Sequence, residues 1–235
     1  MARLPRLYAP QVPQLVQAEF AHALATPAQA APAAQLDQLL EWLQRDAREY
    51  KVAVHGWLLL NDRITLLCTP PDARSVARLI QALGRRMAAG MRHGRVFSGR
   101  YRSSLVEPGH WLLPALIWLE SLPAQLKYVD APQQWPWSSA AGHIGLDSRH
   151  DALVTDHPDY WQDGNTPFAR QAKYSQRLAQ GLSAQQSRRI QDALFGQWVL
   201  GEPDFLAQIE SRASRRIAPA PRGRPRKSTA ASQAS

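Results

Sequence analysis

The fold is decided by the segment Lys51-Val-Ala-Val-His-Gly-Trp-Leu-Leu-Leu-Asn-Asp-Arg-Ile-Thr-Leu-Leu-Cys-Thr-Pro70. Two valines alternate with polar or small neighbours at its start, and an apolar run follows from Trp57 to Leu60. Asn61-Asp62 has the composition of a turn. A second apolar run extends from Ile64 to Cys68 and ends before Pro70. The pattern predicts two buried strands joined by a tight turn.

The segments on either side complete a six-element pattern. A strand precedes the hairpin, a helix separates the two, and a helix, a strand and another helix follow. The predicted ranges are 14–20 for the first strand, 36–50 and 73–87 for the helices, 95–105 for the last strand, and 110–121 for a helix ended by Pro123. This order predicts an α+β fold, ferredoxin-like or RNA-recognition-like, with an antiparallel sheet and helices on one face.

The sequence after residue 145 predicts a helical extension that is followed by a tail. Ser183-Ala-Gln-Gln186 is a capping box that opens a helix. From Ile217 onward Pro, Arg, Gly, Ser and Ala dominate, which is typical of a disordered segment. We therefore expect a core domain over 1–145, a helical C-terminal extension over 146–216, and a disordered basic tail over 217–235.

Composition excludes several protein classes. No apolar run reaches the roughly 18 residues that span a bilayer, and the first residues lack the apolar centre of a signal peptide. The single cysteine, Cys68, excludes a disulfide framework. A cytoplasmic protein with no membrane partner is expected, and association with a bacterial nucleoid fits the same pattern.

Positive charge is concentrated in two stretches of the chain. Eight arginines and no acids lie between residues 73 and 106, and seven cations and no acids lie between residue 211 and the end. Together these stretches carry more charge than the net +9 of the chain, so the rest is net acidic. Two basic blocks on an otherwise acidic chain favour contact with a polyanion, most often nucleic acid.

Collinear short motifs resemble one family. The hairpin and these motifs are similar to the tyrosine transposases associated with repetitive extragenic palindromes (REP), a branch of the HUH single-strand transposases. The motifs are Arg3-Leu-Pro-Arg6, Leu83-Gly-Arg-Arg86, Gly99-Arg-Tyr-Arg102, Trp111-Leu-Leu113, Trp135-Pro-Trp-Ser-Ser139, His157-Pro158, Trp198-Val-Leu-Gly201 and Arg222-Gly-Arg-Pro-Arg-Lys227. The resemblance implies DNA cleavage by a tyrosine that forms a 5′-phosphotyrosine, assisted by Mg²⁺ or Mn²⁺ held by two His and an amide oxygen.

The positions that match this chemistry are all substituted here. Arg63 and Thr65 stand where the resemblance implies the two metal-binding imidazoles, Trp118 stands for the tyrosine, and Leu122 stands for the amide ligand. An indole has no oxygen with which to form a phosphoester, and a lone Thr is a poor metal ligand. We expect no intact catalytic or metal site and no cofactor, while Arg63 could still contact a phosphate.

Retained binding of DNA is the corresponding expectation. Gly99-Arg-Tyr-Arg102 interleaves an aromatic ring with guanidinium groups, and Pro221-Arg-Gly-Arg-Pro225 has the core of an AT-hook. The predicted partner is single-stranded or hairpin palindromic DNA. The predicted contacts are Arg63, Arg85, Arg86, Arg95, Arg100, Tyr101, Arg102, Arg222, Arg224, Arg226 and Lys227.

Three other interpretations remain open from the sequence. The chain could be an active single-strand DNA transposase or nickase with relocated ligands. It could be a general RNA- or DNA-binding module that uses an RNA-recognition-like sheet. It could also be the product of a decaying gene. Whether it acts as a monomer or a dimer is not fixed by the sequence.

Overall fold

A computed structural model of the chain describes residues 5–25, 31–90, 94–147 and 152–219. Four strands form one sheet: β1 Gln14–Glu19, β2 Ala53–Leu59, β3 Arg63–Thr69 and β4 Arg102–Leu105. The sheet order is β2-β3-β1-β4, and every neighbouring pair is antiparallel. This is the ferredoxin-like α+β arrangement that the order of elements predicts.

Eight α-helices accompany the sheet in the described part of the chain. They are α1 Ala33–Glu49, α2 Ser75–Gly90, α3 Leu112–Gln125, α4 Ala140–His143, α5 Pro158–Trp161, α6 Pro167–Gln180, α7 Ala184–Gly196 and α8 Pro203–Glu210, with a 3₁₀ turn at Pro132–Gln134. The predicted capping box is present, because the hydroxyl of Ser183 accepts from the N–H of Gln186 at the start of α7. None of the described helices combines the length and the apolar character that crossing a bilayer requires.

Helices cover both faces of the sheet, whereas the order of elements alone predicts helices on one face. Helices α1 and α2 pack together, and α2 reaches the sheet where Gly84 lies against the ring of Phe97. On the other face α3 crosses β2, and Gly56 is required there because any Cβ would collide with Leu116. Helix α7 packs beside α3 on β4 and β1. Helix α7, which belongs to the C-terminal extension, therefore covers part of the sheet face on which α3 packs.

The two edges of the sheet are also covered. Ser138 pairs with Leu58 and Val154 pairs with Val54 along the β2 edge. Along the β4 edge, the N–H of Leu200 donates to the carbonyl of Leu105 at 2.8 Å. Covered edges leave few free strand groups for association with another chain.

Two sequence-based boundaries differ from the structure. The last strand spans only Arg102–Leu105 rather than 95–105, because bends over residues 98–100 separate it from an isolated bridge between Phe97 and Phe20. Helix α3 continues through Pro123 to Gln125, since the N–H of Leu126 still reaches the carbonyl of Leu122 at 2.9 Å. A proline in the last turn of a helix removes one donor without ending the helix.

The core has two parts. The larger cluster combines the sheet with residues of the C-terminal extension, among them Tyr174 on α6 and Leu194 on α7. The smaller cluster contains Leu7, Leu105, Val199, Ile209 and Ile217. Ile217 is buried and its carbonyl accepts from the N–H of Val199, so the chain is still packed at the position where the sequence predicts the tail to begin.

Candidate nucleic-acid interface

Arg63 and Thr65 lie on the face of β3 that α3 covers. They are two residues apart on a strand, so their side chains point the same way. The Arg63 guanidinium forms a double hydrogen bond with the Asp62 carboxylate, at 2.9 Å from Nε to Oδ1 and 2.5 Å from Nη2 to Oδ2. These bonds to Asp62 raise the pKa of Arg63. The cation at this position is therefore held by a neighbouring acid.

The surroundings of Thr65 do not form a site for a divalent metal. Thr65 is fully buried opposite Gln17 on β1, and its Oγ1 and the Gln17 Oε1 have no hydrogen-bond partner among the described residues. Glu19, which lies opposite Arg63 on β1, already accepts from Arg102 and from Gln17 Nε2. A set of one hydroxyl, one amide and an engaged carboxylate beside a guanidinium does not fit Mg²⁺ or Mn²⁺.

Trp118 and Leu122 lie one helical turn apart on α3. Trp118 is buried in the large core, and Leu122 is half-buried against it. Helix α3 packs on both β2 and β3, so the four substituted positions belong to two elements in contact. Their convergence on one cleft stays a prediction. In the structure, the Trp118 side chain packs among apolar residues of the core.

A buried polar network occupies another side of α3. One oxygen of Glu120 accepts from the Ser139 hydroxyl and from Nδ1 of His143, each at 2.6 Å, and the other accepts from the Tyr174 hydroxyl at 2.7 Å. Burial lowers the pKa of His143, but the Glu120 carboxylate and the hydrogen bonds outweigh it, so the pKa is raised above its ordinary value. The network joins α3, α4 and α6 to β2, because the Ser139 hydroxyl also accepts from the N–H of Trp57.

Sequence reasoning did not pair Glu120 with Ser139, which lies in one of the quoted motifs. Their pairing depends on a contact across 19 positions of sequence. Another residue that it missed is Arg6, whose guanidinium lies 3.5 Å from the centre of the Tyr101 ring. The sequence signal for Arg6 is its position at the end of the motif Arg3-Leu-Pro-Arg6.

Several predicted DNA contacts are already paired with carboxylates. Arg63 pairs with Asp62 and Arg102 with Glu19. Arg86 on α2 pairs with Asp46 of α1, a carboxylate that is fully buried. A guanidinium that is engaged with an internal acid offers fewer donors and less net charge to a phosphate.

Three other predicted contacts are exposed and have no acidic partner among the described residues. Arg85 lies on α2, and Arg95 and Arg100 lie on the irregular segment before β4. Arg95 donates only to backbone carbonyls, which leaves its charge uncompensated. These arginines are accessible to an anionic ligand from solvent.

Tyr101 differs from its predicted role of stacking on a base. Its side chain is only 6% exposed, and one face of its ring is covered by Arg6. The remaining predicted contacts, Arg222, Arg224, Arg226 and Lys227, lie outside the described residues. The accessible basic groups among the predicted contacts in the described part of the chain are therefore Arg85, Arg95 and Arg100, while Tyr101 itself packs in the core.

Comparison with known proteins supports the fold. A search of solved structures finds similarity to a structure described as the REP-associated tyrosine transposase bound to a REP hairpin, with a TM-score of 0.51 and 12% sequence identity. The match covers 67% of this chain and 93% of that chain. No protein-family model matches the sequence, and no curated protein matches it. The similarity at this identity establishes the fold of this chain.

Proposed function

We propose that this chain is a DNA-binding protein built on the fold of the REP-associated tyrosine transposases, and that it binds single-stranded or hairpin DNA without cleaving it. One observation carries the proposal. The positions that match the reactive groups hold an Arg63–Asp62 ion pair, a buried Thr65 and a buried Trp118, whereas exposed arginines without acidic partners are retained.

Two observations support DNA as the partner. The structural neighbour is described as bound to a REP hairpin. The chain carries a net charge of +9, and the exposed guanidinium groups of Arg85, Arg95 and Arg100 are free of internal acids in the described part of the chain. Such groups supply the phosphate contacts that dominate affinity for nucleic acids.

The absence of cleavage follows from the chemistry of the side chains. An indole carries one N–H donor and no oxygen, so Trp118 cannot attack a phosphate. The Arg63 guanidinium, which is paired with Asp62, carries only hydrogen-bond donors and has no lone pair with which to bind a metal ion. A relocated active site would need a phenol beside a set of metal ligands, and the described residues contain no group of three or more His, Cys, Asp or Glu that could hold a metal ion.

An RNA-recognition platform is the weaker alternative. Such modules stack bases on aromatic side chains of an open sheet face. Here α1 and α2 cover one face and α3 and α7 cover the other, so a nucleic acid would meet helix and loop surfaces instead. The proposed binding surface is therefore the arginine-rich segment before β4, together with the basic tail.

Competition binding tests this proposal. A labelled palindromic DNA hairpin is bound, and unlabelled hairpin, duplex DNA and RNA of equal length compete for it. We expect the hairpin to compete most strongly, and Arg95→Gln with Arg100→Gln to weaken binding more than Arg45→Gln with Arg78→Gln, a control with the same change in charge. Equal competition by all three nucleic acids would refute hairpin recognition, and no binding at all would refute the proposed function.

The tail is tested separately. Deletion of residues 218–235 removes four basic side chains. It should flatten the dependence of affinity on salt concentration, because a complex with fewer phosphate contacts releases fewer counterions when it forms. An unchanged slope would exclude the tail from the interface.

A further inference from the structure

The N-terminal and C-terminal segments meet beside β4 and enclose a small cavity. Its volume is about 180 Å³, several times the space that one water molecule occupies. Arg215 fastens the two segments together, since its Nε donates to the carbonyl of Pro5 at 2.7 Å and its Nη2 donates to the carbonyl of Gln197 at 2.6 Å. The floor is apolar and includes Leu105 and Ile209.

The wall of this cavity is basic. It contains two guanidinium groups, from Arg6 and Arg212, and the hydroxyl of Ser214, and none of its lining residues is acidic. Arg6 donates to the carbonyl of Tyr101 through Nη2 at 3.2 Å, but its buried Nε has no partner among the described residues. Arg212 is exposed, and no ion pair forms with either arginine in the described part of the chain.

Arg6, Arg212 and Arg215 form no ion pair with an acid among the residues that the structure describes. Burial lowers the pKa of Arg6; the Tyr101 phenol raises it in part, and the neighbouring Arg100 lowers it again, so that the pKa stays below its ordinary value. Arginine stays protonated in proteins, so Arg6 is a partly buried cation that a bound anion would stabilise. The three nitrogens of Arg215 also donate to backbone carbonyls rather than to carboxylates.

A second cavity shows the opposite character. It measures about 380 Å³ and lies beside the Glu120 network, with Asp147 and Asp156 in its wall and no Arg or Lys. A phosphate would be repelled there. Of these two cavities, the smaller has the charge that suits an anion.

We propose that the cavity between Arg6 and Arg212 binds a phosphate group of the nucleic-acid backbone. Arg6 and Arg212 form the charge-assisted hydrogen bonds, and Ser214 adds a hydroxyl donor. The site lies where the segment bearing Arg100 and the C-terminal basic stretch come together, so one bound phosphate would direct the strand between them. This inference rests on the proposed function and deepens it by locating an anchor for the DNA backbone.

Binding of a labelled single-stranded hairpin oligonucleotide, measured by fluorescence anisotropy over a range of salt concentrations, tests the site. Arg212→Gln changes an exposed side chain, and Arg78→Gln is the matched control because Arg78 is exposed and already paired with Asp72. We expect Arg212→Gln to weaken binding about three- to tenfold and to reduce the salt slope by about 0.7, the value for one phosphate contact on a single strand. Arg6→Gln should behave similarly.

A second probe separates the possible outcomes. Inorganic phosphate should raise the melting temperature of the wild-type protein but not of Arg212→Gln. If the wild type binds the oligonucleotide and Arg212→Gln matches Arg78→Gln in affinity and slope, the anchor site is refuted while the proposed function stands. If the wild type binds no oligonucleotide, the proposed function fails, and the phosphate result alone decides whether the cavity is an anion site.

Discussion

Two sides of helix α3 have opposite character. On one side Glu120 is fully buried and accepts hydrogen bonds from Ser139, His143 and Tyr174. On the other side Trp118 and Leu122 are apolar and pack into the core. The hydrogen bonds on the polar side attach the C-terminal extension to the sheet. The apolar side contains the positions at which the resemblance implies reactive groups. One side of this helix therefore maintains the architecture through polar contacts, while the other side contributes apolar packing at the positions on which the proposed absence of cleavage rests.

The largest expected effect comes from breaking the polar side. Glu120→Ala removes the common acceptor of three donors and leaves His143 without its counter-charge, so unfolding should become easier by about 3–5 kcal/mol. Urea denaturation followed by circular dichroism measures the change. Trp118→Phe, on the other side of the same helix, should cost only about 1–2 kcal/mol because it trims an apolar contact. Equal losses in the two variants would contradict the comparison.

The second effect concerns pH, and two histidines should act in opposite directions. Burial lowers the pKa of His55 to about 4. The stability that neutral His55 contributes is present above its unfolded pKa of about 6.5 and is lost as pH falls towards about 4, which amounts to roughly 3 kcal/mol. His55→Gln should remove this part of the acid destabilisation, as measured by urea denaturation between pH 4 and pH 7.

His143 provides the contrast for that measurement. Its pKa is raised in the folded state, so its contribution is present at low pH and is lost as pH rises through the folded pKa. His143→Gln should therefore make the protein relatively more sensitive to acid, whereas His55→Gln makes it less sensitive. If both variants shift the pH profile in the same direction, the assignment of opposite pKa shifts is wrong.

The smallest effect concerns the internal ion pairs near β3. Glu19→Gln releases Arg102 from its carboxylate and should strengthen DNA binding roughly threefold at low salt, because the freed guanidinium can reach a phosphate. Glu41→Gln on α1 makes the same change in net charge without releasing an arginine. If both variants strengthen binding equally, general electrostatics explains the gain and the ion pair plays no part in it.

Sequence patterns predict those parts of the structure that local chemistry controls. The hairpin, the sheet order and the capping box at Ser183 follow from strand alternation, element order and the spacing of donors and acceptors. The end of α3 and the length of β4 could not be predicted this way. A proline in the last turn is compatible with a helix, and the chain bends between Phe97, which bridges to Phe20, and Arg102, which pairs with Gln17, so one predicted strand is two separately paired segments.

The site shows the same division. The resemblance to the REP-associated transposases predicts from the sequence that Arg63, Thr65, Trp118 and Leu122 replace reactive groups. Which arginines remain free is not visible there. Arg86 meets Asp46 across 40 positions and Arg102 meets Glu19 across 83, so only the fold separates neutralised cations from accessible ones.

The central claim is that the transposase fold persists here without its strand-cleaving groups. Incubating the protein with a palindromic single-stranded oligonucleotide and Mn²⁺, followed by native and denaturing gels, tests this claim most directly. We predict a complex on the native gel and no covalent protein–DNA adduct on the denaturing gel. A covalent adduct, located by mass spectrometry to a tyrosine of this chain, would contradict the account.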